Sequence, residues 1–300
     1  ETFADWTRRA AAGPQAAVTA VFPLRDEGDL AVLAWMNGRA PASVLARREA
    51  FVDGLVVCLH SEFLAAAPPD VAYELEVRRL DLAAQRQEAA RRTAGRRVLS
   101  LDGCIPGSFD LGVSRCFPLC AGKVAPAIVA RPGFAAIAAQ LDAIPAGEYV
   151  LLDDDIATGE TIRRVLALLP PRLQIQEVVI VSPMTAPALD VGDCRDFLAG
   201  AREGGLVVAL PDGGLARAPY VLPYVSPSAR ASVPISRELE FSIAVWALNA
   251  AFFREVSPPI VLAEADPAFV RLMRIVGFAP TTTMLAICEW HLERLRPRRR

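Results

Sequence analysis

The stretch Tyr149-Val150-Leu151-Leu152-Asp153-Asp154-Asp155-Ile156-Ala157-Thr158-Gly159-Glu160-Thr161-Ile162 joins an apolar run, three acids and a Thr/Gly turn just ahead of a helical pattern. Tyr149 to Leu152 predict a buried parallel strand, which puts Asp153 and Asp154 at its carboxyl end, where open α/β sheets bind ligands. The loop from Ala157 to Thr161 then opens a helix through Ile162, Val165, Leu166 and Leu169, stopped by Pro170-Pro171. The first N–H groups of a helix lack internal partners and carry partial positive charge. Gly159 permits close backbone approach, and Thr158 and Thr161 add hydroxyl donors, so this turn suits a phosphate. The acids suit sugar hydroxyls or a divalent cation, either of which would absorb a charge that is costly after a buried strand. The order of residues thus fits a nucleotide-sugar phosphate cradle; the plain alternative is a solvated loop and helix cap.

The run Asp153-Asp154-Asp155-Ile156-Ala157-Thr158-Gly159-Glu160-Thr161 resembles the phosphoribosyl pyrophosphate (PRPP) motif of the type I phosphoribosyltransferases, an acidic pair followed by three variable residues and Thr-Gly-x-Thr. The resemblance covers residues 150–161. It implies that Asp153 and Asp154 hold the ribose 2- and 3-hydroxyls, directly or through Mg²⁺, while Ala157, Thr158, Gly159, Glu160 and Thr161 wrap the 5-phosphate. There are two departures from the pattern. Glu160 stands where a second Gly is common, so its charge must point away from the phosphate. Ala157 stands where some purine-type members carry an acid acting on the base, so proton transfer would need another group. The implied chemistry is transfer of a phosphoribosyl group between PRPP and a nucleobase or related acceptor. Other readings of the same residues are a PRPP-binding regulatory protein without turnover, a phosphorylase or hydrolase working in the reverse direction, and a haloacid dehalogenase-like phosphatase using Asp153 and Asp155.

Further candidates lie on neighbouring strand-to-helix junctions. Asp102-Gly103-Cys104-Ile105-Pro106-Gly107-Ser108 follows an apolar strand, and the resemblance implies that a loop in this place contacts pyrophosphate through its backbone, with the glycines allowing the approach; an ordinary Gly/Pro turn is the alternative. Lys123 is the one Lys in the chain and falls where the family carries a mobile basic loop, which makes it a catalytic candidate against pyrophosphate charge, beside the reading of a solvated Lys. Arg115 and Arg131 are further anion candidates. Tyr220, Tyr224, Phe241 and Trp246 could stack a base, but helical spacing assigns Phe241 and Trp246 to a core first.

Composition narrows the class. The chain has 300 residues, 53% hydrophobic and 22% charged, enough to bury a large core. Its apolar runs fall short of the ~20 residues that cross a bilayer, and no basic-then-apolar leader stands at its start, so a cytoplasmic protein without membrane partners is expected. A net charge of −2 gives no global field for nucleic acid, and Arg294 to Arg300 read as a disordered tail. The partner implied is a small phosphoribosyl compound, and a homodimer is compatible. The six Cys contain no Cys-x-x-Cys pair, and the two His, His60 and His291, lie far apart in sequence, which argues against a zinc site and a Ser-His-Asp hydrolase.

The predicted fold is α/β, a doubly wound parallel sheet of the type I phosphoribosyltransferase kind with additions at both ends. Residues 1–95 form an N-terminal segment, with a hairpin of Val18–Leu24 and Leu30–Met36, a strand at Gly54–His60 and a helix over Val71–Arg92. Residues 96–212 form the core, with strands at Val98–Leu101, Gly112–Phe117, Ala127–Ala130, Tyr149–Leu152, Val178–Ser182 and Leu206–Leu210. Helices are predicted near Phe134–Leu141 and Cys194–Ala201. Residues 213–300 form a mostly helical extension, led by a helix from Arg237 through Phe253.

Overall fold

A computed structural model of the chain describes residues 18–25, 47–66, 73–118, 127–154, 160–181, 206–219, 221–224 and 237–296. The chain forms two compact units, one drawn from Arg79–Phe117 and Val124–Asp196, the other from Glu1–Arg78, Pro118–Lys123 and Phe197–Arg300. Three consecutive domains were expected. The two ends instead share one unit, because α1 (Arg48–Ala66) packs on the later helix Glu238–Arg254. Phe51 meets Phe252 edge to face with ring centroids 5.6 Å apart, Glu62 pairs with Arg237 at 2.7 Å, and Arg47 pairs with Glu255. The expected strand at Gly54–His60 is the middle of α1. Its short β-branched run fits either conformation locally, but Phe51, Val52, Leu55 and Glu62 are buried while Val57 is 67% exposed, the one-sided burial of a helix.

The strands β1 (Val18–Arg25) and β2 (Tyr73–Leu80) form a two-stranded sheet. β2 corrects the helix expected over Val71–Arg92: Tyr73 to Val77 alternate apolar and charged residues, and the helix α2 (Leu82–Arg92) starts only after Asp81. That carboxylate caps it, accepting from the N–H groups of Ala83 at 2.8 Å and Ala84 at 3.2 Å. The expected strand Leu30–Met36 and helix Cys194–Ala201 lie outside the described residues.

The first unit is built on a parallel sheet in the order β4 (Phe109–Asp110), β3 (Val98–Ser100), β7 (Gly147–Asp153), β8 (Leu173–Ile180). β3 and β7 run in register from Val98 opposite Val150 to Ser100 opposite Leu152, and the ladder continues with Leu101 N–H donating to the Leu152 carbonyl at 2.8 Å. Tyr149 to Leu152 are all buried, as expected of a strand covered on both faces. One face carries Leu99, Tyr149, Leu151 and Ile180 against Leu141 of α3 (Ile137–Ala143) and Ile162 and Val165 of α4 (Glu160–Leu168). The other carries Val98, Val150, Leu152 and Val179 against Leu82 and Ala89 of α2. The fold is therefore α/β with helices on both faces of a parallel sheet.

Not every core strand joins that sheet, contrary to expectation. β5 (Val113–Pro118) and β6 (Ala127–Ala130) pair antiparallel, with Val113 opposite Ala130, and in the second unit β9 (Leu206–Ala209) and β10 (Leu215–Ala218) do the same. Parallel neighbours need a crossover element, and the interval between β5 and β6 is too short for one.

The second unit is mainly helical, with α1, α5 (Glu238–Arg254), α6 (Pro267–Val276) and α7 (Met284–Leu295). Asp266 caps α6 before a Pro at its first position, and Gly277 ends it at φ 112, a left-handed conformation open to Gly. Phe241 and Trp246 are core residues of α5, and Tyr224 is buried too. Arg294, expected in a disordered tail, lies on α7 with its guanidinium 3.6 Å from the Trp290 ring centre.

Candidate functional site

Two adjacent parallel strands end in acids. β7 runs out at Asp153 and Asp154, and β3 is followed by Leu101 and Asp102. Because Ser100 stands opposite Leu152, the same register carries Leu101 alongside Asp153 and Asp102 alongside Asp154. Carboxylate oxygens of Asp102, Asp153 and Asp154 lie within 4.8 Å of one another. Asp102 is 5% exposed and Asp154 9%.

The chain holds Asp102 there by folding the loop back on itself. The Oδ1 of Asp102 accepts from the N–H groups of Cys104 at 2.7 Å and Ile105 at 2.8 Å. The buried Ser100 hydroxyl donates to the Ile105 carbonyl at 2.6 Å and accepts from the Asp102 N–H at 3.2 Å. Arg86 of α2 donates from Nε to the Cys104 carbonyl at 2.8 Å. Gly107 is required by packing, since a Cβ there would lie 2.8 Å from the Val98 carbonyl oxygen and 3.0 Å from the Ser100 nitrogen. The described neighbours of the loop therefore include a buried hydroxyl, a detail invisible in a Ser that reads simply as the end of a strand.

Electrostatics follow from this crowding. Burial pushes the Asp153 carboxyl well above the usual carboxylate range, and the charges of Asp154 and Asp102 push it further. The Asp154 N–H, which donates to Asp153 Oδ1 at 3.1 Å, and the Arg131 guanidinium oppose the rise. Three hard oxygen donors that repel one another are a suitable set for a divalent cation such as Mg²⁺, which would relieve the repulsion.

Of the other predicted site residues, Thr161 lies in the first turn of α4 and Glu160 is its first residue. Ala157, Thr158, Gly159, Asp155 and Lys123 lie outside the described residues. Gly103 sits in the loop between Asp102 and Cys104. Arg115 lies on β5, opposite Ile128, with its guanidinium 5.8 Å from the Phe117 ring centre. The structure thus brings together Asp102, Asp153 and Asp154, with Arg131 acting on Asp153 through its charge. Asp102 enters through its side chain, whereas the sequence suggested a backbone contact. No family model matches the chain, and no curated protein or solved structure is significantly similar to it.

Proposed function

We propose that the chain is a Mg²⁺-dependent phosphoribosyltransferase of the type I kind, acting in the cytoplasm on PRPP and a nucleobase or related acceptor. The observation that carries the reading is the meeting of Asp102 with Asp153 and Asp154 at the carboxyl ends of neighbouring parallel strands, immediately before the loop that opens α4. In this reading Asp153 and Asp154 accept the ribose 2- and 3-hydroxyls or ligate Mg²⁺, and Asp102 completes the oxygen set. Mg²⁺ when bound neutralises charge on the pyrophosphate. The turn from Ala157 to Thr161 receives the 5-phosphate on backbone N–H groups and the hydroxyls of Thr158 and Thr161. In this reading Arg115 and Lys123 would supply positive charge to the departing pyrophosphate. The protein's contribution is positioning and charge stabilisation while the C1–O bond to pyrophosphate breaks and the acceptor takes C1.

The test is calorimetry with PRPP and Mg²⁺, followed by an assay of pyrophosphate release with a mixture of bases. Binding with release supports the transferase. Binding without release makes the chain a PRPP-binding regulatory protein. Absence of binding in the parent, or equal binding by the Asp153→Asn/Asp154→Asn variant, overturns the motif assignment.

A further inference from the structure

Arg131 follows β6 directly, and its contacts lead to the acids through the backbone. Its N–H donates to the Gly112 carbonyl at 2.8 Å. Its Nε donates to the Val113 carbonyl at 2.8 Å, and an Nη of the same guanidinium donates to the Leu101 carbonyl at 2.6 Å. Gly112 is itself held by Gln140, whose Oε1 accepts its N–H at 2.8 Å. Leu101 is the last residue before Asp102, so its peptide orientation sets where Asp102 starts. A planar guanidinium can hold two carbonyls at a fixed angle, which a Lys ammonium does not reproduce.

We infer that Arg131 is a positioning residue for the acidic cluster: by bridging the Val113 and Leu101 carbonyls it fixes the direction in which Asp102 leaves β3 toward Asp153 and Asp154. The inference rests on the reading of that cluster as a cation and ribose site. Arg131 carries no acceptor atom and cannot ligate a cation. By charge alone it disfavours a divalent ion beside it, so its removal would tighten metal binding. A positioning role has the opposite sign. The bridge also differs from the Arg86 contact, which reaches the loop beyond Asp102, at Cys104, from a helix on the sheet's face.

The experiment uses Mn²⁺ alone as the probe, titrated into the full chain with calorimetry, beside amide exchange at Cys104 and Ile105. Arg131→Gln should weaken Mn²⁺ binding on the order of tenfold, as losses of groups that orient metal ligands do. The Asp102→Asn/Arg131→Gln double variant should bind no more weakly than Asp102→Asn alone, since both changes act through one side chain. Exchange at Cys104 and Ile105, whose N–H groups Asp102 accepts, should quicken in Arg131→Gln. Unchanged or tighter Mn²⁺ binding in Arg131→Gln, or additive losses in the double variant, overturns the proposal. Should Arg131→Gln fail to fold, Arg131→Lys carries the test, because it keeps the charge and loses the bridge; parental affinity in that variant overturns the proposal. A parent that binds Mn²⁺ but not PRPP removes the phosphoribosyl reading and leaves the Arg131 measurement standing. A parent that binds no Mn²⁺ overturns the Arg131 proposal even if PRPP binds.

Discussion

Asp153 is in conflict with its own surroundings, since burial, Asp154 and Asp102 all oppose its charge. Its carboxyl therefore holds a proton more tightly in the folded protein than in the unfolded chain. Stability should fall as pH rises from the ordinary Asp value of ~3.9 up to the raised folded value, and level off above it. Asp153→Asn should remove this slope, raise the melting temperature near neutral pH and abolish PRPP binding. Urea midpoints measured across pH test the first part, and a slope equal to the parent's would refute the repulsion argument. Lys123 gives the second prediction at this scale. If it meets pyrophosphate as charge develops, Lys123→Ala should lower turnover on the order of 10²-fold with a much smaller effect on PRPP affinity. A kcat within about twofold of the parent would return Lys123 to the surface and turn attention to Arg115.

At the scale of the elements, α2 covers one face of the parallel sheet, and its Gln85 is 5% exposed with neither amide atom hydrogen-bonded. A buried amide without partners costs about 1–3 kcal/mol, so Gln85→Leu should stabilise the unit by on the order of 1 kcal/mol. A lower denaturation midpoint would mean that the amide has a role the buried packing does not reveal. Gly107 marks the opposite situation, a site with no room. A Cβ there meets backbone of β3 at Val98 and Ser100 and the Phe109 carbonyl of β4, so Gly107→Ala must shift strands rather than a flexible side chain. A loss of about 1–3 kcal/mol is expected, with weakened metal binding, because the loop that carries Asp102 closes through this junction.

For the whole molecule, the mainly helical unit has its own pH response. His291, 1% exposed, stacks on Trp246 with ring centroids 4.0 Å apart. Its Nδ1–H donates to the Ile287 carbonyl at 2.7 Å, and its Nε2 lies 2.6 Å from the Tyr224 hydroxyl, which donates to it when the ring is neutral. Burial, with a smaller push from Arg294, takes it down from 6.5 to about 4. The unfolded chain therefore gains the proton first. Stability is fully present above 6.5 and lost as pH falls toward about 4, by on the order of 3 kcal/mol at full titration. Over that interval the two units respond to pH with opposite sign. Among the described residues the Trp side chains, Trp246 and Trp290, belong to the mainly helical unit and lie against His291, so Trp emission reports its transition. His291→Phe should flatten the acid loss seen by Trp emission while leaving the Asp153-dependent slope in place.

How much of this could be read from the residues depends on how local the deciding physics is. The strand of Tyr149 to Leu152, the acids at its end and the helix from Glu160 are local: an uninterrupted apolar run, charges that must leave the sheet, and amphipathic spacing stopped by Pro170-Pro171 specify them without help from distant residues. The pair Asp153-Asp154 was legible for the same reason. Other features depend on which surfaces meet. Residues 54–60 became helix because Phe51 and Glu62 found Phe252 and Arg237 some 200 positions away. The chain ends joined one unit by those same contacts, and β5 and β6 left the parallel sheet. The cluster's third acid came from register, which set Asp102 of one strand beside Asp154 of the next, and Arg131 reached the Leu101 carbonyl from the end of a different strand. Local propensity and burial demand are properties of a segment and are written in its residues. Partner choice, register and the angle of a guanidinium between two carbonyls are properties of the packed chain, and only the tertiary structure decides them.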